Sequence, residues 1–364
     1  MRFIHMGDVH LGAEPESGTG LGPIRKQEIW EAFRDVISLC EREGIELLLI
    51  PGDLFHGQPL LRDVKEVDYL FRTLTKTRVV MIAGNHDCLL KTSHYYDVTF
   101  PEHVSFLMDY HADSVYLPEL NVEVFGASYE TKQIPEARYD RIKIKDASHI
   151  NILLAHGNIM CTDKSIPIHK EVLEAAGFDY IALGHLHTRV EVGPRMTYSG
   201  GFEPFERKES GPKGYIAGEL LKNDGEESQI TWHFVPHAKR EYVPLRVEVT
   251  PQSTEFSLCE QILHEMELRG MQHMYLVTLS GRRSAERSFL TDSMAEIIRS
   301  RGGILIELTD ETVPDFDLDL IKKEHKEDFV GRMIRRLEVT GATDDAELAD
   351  KALLYGLQAL MLQK

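Results

Sequence analysis

Leu47-Leu48-Leu49-Ile50-Pro51-Gly52-Asp53 decides how this chain folds. Four uninterrupted aliphatic residues suit a strand buried on both faces. The run stops at a Gly-Asp turn, so a carboxylate sits at the carboxyl end of the strand. The same design recurs along the chain. Val79-Val80-Met81-Ile82 runs into Gly84-Asn85-His86-Asp87, and Ile152-Leu153-Leu154 runs into His156-Gly157. Tyr180-Ile181-Ala182-Leu183 runs into Gly184-His185-Leu186-His187, and the N-terminal Phe3-Ile4 leads to Asp8-Val9-His10. Buried strands that end in polar motifs point to an α/β sheet with its ligands at the carboxyl ends of the strands.

Amphipathic stretches separate these strands. Ile29, Phe33, Val36, Ile37 and Cys40 keep helical spacing within 23–43, and Gly44 is a natural stop. Val64, Val67, Leu70, Phe71 and Leu74 do the same within 60–77, and Val172, Leu173 and Ala176 precede Gly177. Short strands follow at 122–125, 196–198, 214–217 and 231–235, and that half reads as a more antiparallel sheet packed on the first. The natural closure is a β-sandwich with flanking helices, a four-layered α/β/β/α arrangement. Past Pro236 the polar stations cease. Strand 242–249, helix 257–269, strand 274–279, helix 292–301 and strand 304–308 make a small α/β module. Helical stretches at 318–337 and 344–362 follow, separated by Gly341, which suits a helical hairpin.

Composition narrows the class. At 364 residues the chain exceeds one ordinary core, and 42% hydrophobic content is that of a globular protein. No apolar run is long enough for a membrane span. The N-terminus enters a strand pattern directly and leaves no room for a signal peptide, so a cytoplasmic chain is expected. Cys40, Cys88, Cys161 and Cys259 are scattered without a CxxC pair, which argues against a disulfide framework or a thiolate zinc site. The net charge of −18, from 59 acidic and 41 basic residues, argues against a generic nucleic-acid coater. It leaves a nuclease open, because cations in a cleft and a local basic patch can both attract phosphate.

The stations supply carboxylates, one amide and several imidazoles, the ligand set of a two-metal hydrolase. A dinuclear site needs one oxygen ligand shared by both metals, and Asp53 in its tight turn suits that part. Asp8 and His10, two apart on an extended segment, can face one ion. Asn85, His156, His185 and His187 complete the shell. A mixed N/O set without thiolates suits Mn²⁺, Fe or Zn²⁺. His86 is read as staying off the metals and donating to the scissile phosphate, with Asp87 holding its tautomer and His56 approaching from the other side. His5 lies within the first strand and reads as structural.

Taken together, the five stations resemble the calcineurin-like metallophosphoesterase family. Ile4-His5-Met6-Gly7-Asp8-Val9-His10-Leu11-Gly12 and Gly52-Asp53-Leu54-Phe55-His56 resemble its SbcD/YhaO-type DNA repair exonucleases, as does Tyr198-Ser199-Gly200-Gly201-Phe202-Glu203-Pro204. The Leu-Phe-His continuation and Asp87 count against a protein phosphatase of the family. The resemblance implies metal ligands at Asp8, His10, Asp53, Asn85, His156, His185 and His187, a catalytic imidazole at His86 with His56 as its companion, and two divalent ions, usually Mn²⁺. It implies a nuclease domain over 1–237, a capping domain over 238–312 that helps orient DNA, and a helical segment over 313–364 that docks on an SbcC/SMC-like ATPase. The family often dimerises, so a homodimer is among the expected states. Two rival readings are a phosphodiesterase or phosphatase acting on small nucleotides, and a non-catalytic scaffold for an ATPase. Arg25-Lys26, Lys239-Arg240, Arg282-Arg283 with Arg287, and Arg332 with Arg335-Arg336 are basic clusters whose contact with DNA the sequence does not place.

Overall fold

The computed structural model describes residues 1–223, 225–343 and 346–361. The chain divides into two compact units, Met1–Glu241 and Tyr242–Lys364. The first unit opens with β1 (Arg2–His5), α1 (Gly22–Glu43), β2 (Leu47–Pro51), α2 (Leu61–Arg72), β3 (Arg78–Ile82) and β4 (Val104–Phe106). It continues with β5 (Asp113–Leu117), β6 (Val122–Gly126), β7 (Ile150–His156), α3 (Lys170–Ala175) and β8 (Tyr180–Gly184). β9 (Val190–Gly193), β10 (Met196–Tyr198), β11 (Gly214–Leu221) and β12 (Gln229–Pro236) complete it.

Among the described residues these strands form two six-stranded sheets, in the orders β12-β11-β1-β2-β3-β4 and β5-β6-β7-β8-β10-β9. Alternation along each strand explains the layering. Leu47 and Leu49 of β2, Val80 and Ile82 of β3, and Ile152 and Leu154 of β7 share the core between the sheets. Their neighbours Leu48, Ile50, Val79 and Met81 face outward onto Ile29, Phe33 and Val36 of α1 and Val64, Val67 and Phe71 of α2. On the far side, Leu153, Ala155, Ile181 and Leu183 pack with Leu173 of α3. The result is the α/β/β/α sandwich. α1 ends where Gly44 adopts φ 63, a left-handed cap that returns its N–H to the carbonyls of Cys40 and Glu41.

The second sheet differs from the expected antiparallel one. β6, β7, β8 and β10 run parallel, and only the edge strands β5 and β9 are antiparallel. β11 and β12 join the first sheet instead, where β11 pairs antiparallel with β1. The reason is registry of burial: Ile216 and Leu220 of β11 belong to the same inter-sheet core as Phe3 of β1.

The second unit runs β13 (Tyr242–Val249), α4 (Glu255–Arg269), β14 (Met274–Ser284), α5 (Thr291–Ser300), β15 (Leu305–Asp310), β16 (Val313–Asp315), α6 (Leu318–Glu324), α7 (Phe329–Thr343) and α8 (Ala346–Met361). β13, β14 and β15 are parallel neighbours, and β16 extends the pairing of β14. Leu245, Val247 and Val249 face Leu258, Ile262 and Met266 of α4 and Met294 and Ile298 of α5. A Thr254/Ser257 capping box starts α4. The stretch expected as one helix over 318–337 is two, because residues 325–328 leave the helical path and Asp328 accepts hydrogen bonds from the Gly331 amide and the His325 ring. Gly341 lies inside α7, and the start and end expected at 344 and 362 lie outside the described residues. Ile334 of α7 is buried with Leu353 and Leu357 of α8.

Candidate metal centre and active site

All five polar stations emerge where β1, β2, β3, β7 and β8 end. The extensions of β1 and β2 remain zipped beyond the sheet. The His10 and Leu11 amides donate to the Asp53 and Leu54 carbonyls, and the His56 amide donates back to Leu11. The backbone there is unusual. Asp8 (φ 50), His10 (φ 52), Asp53 (φ 51) and His185 (φ 102) all adopt left-handed conformations, which cost roughly 1–3 kcal/mol each in a non-glycine residue. Such conformations turn the side chains inward at the sheet edge. Gly84 makes the approach feasible, since a Cβ there would lie 2.2 Å from Asp53 Oδ1. Gly52 (φ 94) is equally constrained, because a Cβ would meet His156 Nδ1 at 2.5 Å.

The side chains gather around Asp53. Its Oδ2 lies 3.4 Å from His156 Nε2 and 3.8 Å from His10 Nε2, and its Oδ1 accepts the His86 amide at 2.8 Å. On one side, Asp8, His10 and His187 offer ligand atoms within 4.8 Å of one another, and Asp8, Asp53 and His156 do so beside them. On the other, Asn85 Oδ1 stands 2.9 Å from His156 Nε2 and 3.0 Å from His185 Nδ1. Asp8, His10, Asp53 and His156 are buried, and the others are half-buried.

Hydrogen bonds on the outer ring nitrogens set the tautomers. His156 Nδ1 donates to the Pro51 carbonyl at 2.9 Å, His185 Nε2 to Asp163 at 3.0 Å, and His187 Nδ1 to Glu209 at 2.7 Å. In each neutral ring the other nitrogen then carries a lone pair. Two of those lone pairs face the Asn85 oxygen, and the third faces His10 Nε2 at 2.9 Å. Ring nitrogens and an amide oxygen turned toward one another, around two buried carboxylates, fit divalent cations.

The electrostatics agree. Burial would raise Asp53, but the surrounding imidazoles, His156 foremost, hold it well below the carboxylate range. Burial would lower His156, but Asp53 lifts it to about 9, so without a cation a proton takes the central position. His187 is likewise raised against burial by Glu209. His10 and His185 are lowered, chiefly by burial. Burial pushes Asp8 up. A cation entering here displaces protons.

His86 and His56 lie side by side, with ring centroids 5.3 Å apart and planes at 30°. His86 Nδ1 donates to the His56 carbonyl at 3.0 Å, and His86 lines a cleft of about 440 Å³ with Asp53, His185, His187 and Lys208. Asp87 does not hold the His86 ring, contrary to expectation. Its buried carboxylate accepts from the amides of Gly84 and Phe55 and from the Tyr95 hydroxyl. It therefore fixes the turn that carries Asn85 and His86, and burial lifts it to about 6. His5 is buried between the Tyr180 hydroxyl and the Leu183 carbonyl, and burial lowers it to about 3.

Sequence reasoning missed several groups around the site. Asp163 and Glu209 orient two imidazoles. Tyr139 and Tyr129 bracket the His156 backbone, with the His156 amide donating to Tyr139 and the Tyr129 hydroxyl donating to the His156 carbonyl. Phe205 packs edge-on against His10 and His187. All of them lie in connections between strands, Tyr129 and Tyr139 before β7, Asp163 after it, and Phe205 and Glu209 between β10 and β11, where no local pattern marks them. Two basic clusters prove to be committed to acids. Arg25 is fully buried on Glu28 and Glu203, Arg240 pairs with Glu28, and Lys239 pairs with Glu31.

Residues 1–189 match the family profile described as calcineurin-like phosphoesterase. Among curated relatives, an uncharacterized metallophosphoesterase, YhaO of Bacillus subtilis, is 27% identical over 249 residues, 62% of this chain and 58% of that protein. The DNA double-strand break repair protein Mre11 of Halobacterium salinarum is 29% identical over 230 residues (59% and 55%). Mre11 of Aeropyrum pernix is 28% identical over 238 residues (58% and 56%). The chain thus spans a little over half the length of these relatives. No helix among the described residues is long and apolar enough to cross a membrane. With the matched segment reaching from the first polar station to the last, the chain belongs to the calcineurin-like phosphoesterase family of metal-dependent hydrolases.

Proposed function

We propose that the protein is a two-metal phosphodiesterase that acts on DNA as an exonuclease in repair. One observation carries this reading: Asp8, His10, Asn85, His156, His185 and His187 gather around Asp53, with His86 lining the adjoining cleft and His56 stacked on it. Asp8, His10 and His187 would hold one cation, Asn85, His156 and His185 the other, and Asp53 both. When bound, such a pair neutralises phosphate charge and lowers the pKa of a shared water. Mn²⁺ is the proposed ion, and Fe or Zn²⁺ also suits the donors.

The chain's own residues do the rest. The Pro51 carbonyl, Asp163 and Glu209 hold three imidazoles in the ligating tautomer. His86 has its Nδ1 engaged, which leaves Nε2 to hydrogen-bond a phosphoryl oxygen or to protonate the leaving group. His56 supplies the carbonyl that orients His86 and a second imidazole beside it. DNA as substrate is supported by the repair role in the names of the archaeal relatives and by the Leu54-Phe55-His56 continuation. The proposal extends to a capping role for 238–312, to docking of 313–364 on an SbcC/SMC-like ATPase, and to a homodimer.

The deciding experiment substitutes His86→Ala. Mn²⁺-dependent release from end-labelled DNA should fall by roughly 10²–10⁴-fold, the range for general acid–base groups, with metal content unchanged at two ions per chain. Loss of an ion would make His86 a ligand. Faster turnover of a cyclic or mononucleotide than of DNA by the unsubstituted protein would replace the substrate assignment. Inactivity on every phosphodiester with both ions bound would favour a scaffold.

A further inference from the structure

Glu209 and Lys213 are two charged side chains with only 5% of their surface exposed. Taking ions of this size out of water costs several kcal/mol each unless partners compensate. Both find compensation at one residue. Glu209 Oε1 accepts from His187 Nδ1 at 2.7 Å, and Lys213 Nζ donates to the His187 main-chain carbonyl. Glu209 Oε2 accepts the Phe205 amide at 3.1 Å and stands 3.6 Å from Lys213 Nζ. His187 is thereby gripped by its ring on one side and its backbone on the other. Phe205, tied to the same carboxylate, closes the remaining side, with its ring 5.5 Å from His187 and 4.7 Å from His10. The His185 counterpart is weaker. Its orienting carboxylate, Asp163, has 43% of its side chain exposed and lies in the loop after β7.

We propose that Glu209 and Lys213 are positioning residues that act through His187, holding its Nε2 toward the cation shared with Asp8 and His10. The two subsites are therefore unequally braced, the His187 side by a buried ion pair and the His185 side by an exposed carboxylate. An imidazole whose outer nitrogen is held by a carboxylate is a more basic and better oriented ligand, and loss of such a partner typically weakens metal binding about 10–100-fold. The ammonium of Lys213 stands 3.6 Å from that carboxylate and ties it to the His187 backbone. This inference rests on the two-metal reading above.

The test is Mn²⁺ titration of the full chain followed by electron paramagnetic resonance of the free ion, with metal content by mass spectrometry. The unsubstituted protein should bind two ions, and a failure to do so would overturn the two-metal reading itself. Glu209→Gln should weaken one of the two ions by about 10–100-fold and leave the other unchanged, and Glu209→Asp should recover part of that loss. Asp163→Asn should weaken the opposite ion, and by less. Glu209→Gln with both affinities unaltered would overturn the inference. So would an equal loss of both ions that Glu209→Asp reproduces alongside a lowered melting temperature, because that pattern marks a general packing role.

Discussion

The two units use the same local grammar to different ends. Each is built on parallel strands with helices laid on them, yet the edges of their sheets differ. In Met1–Glu241 the carboxyl ends of the strands carry buried Asp8, His10, Asp53 and His156. In Tyr242–Lys364, Arg283 is the only buried polar or charged side chain among the described residues. Every non-glycine residue with positive φ among the described residues also lies in the first unit, and four of them are candidate site residues. Buried charge and left-handed backbone both oppose folding. Their concentration at one sheet edge teaches that this edge is shaped for ligands, whereas the second unit keeps the alternation of a stability-driven module. The four-layered sandwich tolerates the burden because three apolar clusters surround it.

The largest effect should come from striking the centre of the first unit. On the two-metal proposal, Asp53→Asn removes the charge that both subsites would share. It should abolish paired metal binding and cut phosphodiesterase turnover by about 10³-fold or more, equivalent to several kcal/mol of charge stabilisation. Retention of two ions by that variant, measured by mass spectrometry, would break the contrast at its root. The reciprocal change is Ile262→Ala, which opens the core of the second unit under α4. It should cost about 2–5 kcal/mol of stability in denaturant titration while metal content stays at two ions.

The pH dependence of the metal-free protein sharpens the comparison. His156 is raised from 6.5 to about 9 by Asp53, so the folded state binds the extra proton more tightly than the unfolded chain. That contribution is complete below pH 6.5 and is lost as pH rises through 9. Chelated protein should therefore lose roughly 3 kcal/mol of first-unit stability across that window, and Mn²⁺ should restore it. A flat urea midpoint from pH 6.5 to 9 under chelation would contradict the pairing of Asp53 with His156. The smallest effect expected is that of Asp87→Asn. It strands one of the three donors that Asp87 receives, for about 1–3 kcal/mol, and should leave the pH profile of His86-dependent turnover in place. A displaced pH profile would return Asp87 to the role of orienting His86.

The legibility of the site follows the chain locally. Asp8-Val9-His10, Gly52-Asp53 and Gly84-Asn85-His86 could be read because each follows an apolar run that ends in a turn. Asp163 and Glu209 could not, since an acidic residue in a loop looks the same whether it is solvated or holds an imidazole from behind. Arg25 misled in the opposite sense. In sequence it forms a basic cluster with Lys26, yet it occupies the inner face of α1 on Glu203, a residue far away along the chain.

Periodicity and turn chemistry in the sequence determined most of the strands and helices and the layered class, and singled out seven candidate donors, because all of these depend on residues within a turn or two of one another. Only the tertiary structure decided the rest. β11 crosses back to pair with β1, Asp87 faces its own turn instead of His86, and Glu209 with Lys213 closes on His187. Each choice is settled by which distant groups must share a dry interior, where burial demands partners that no local pattern names.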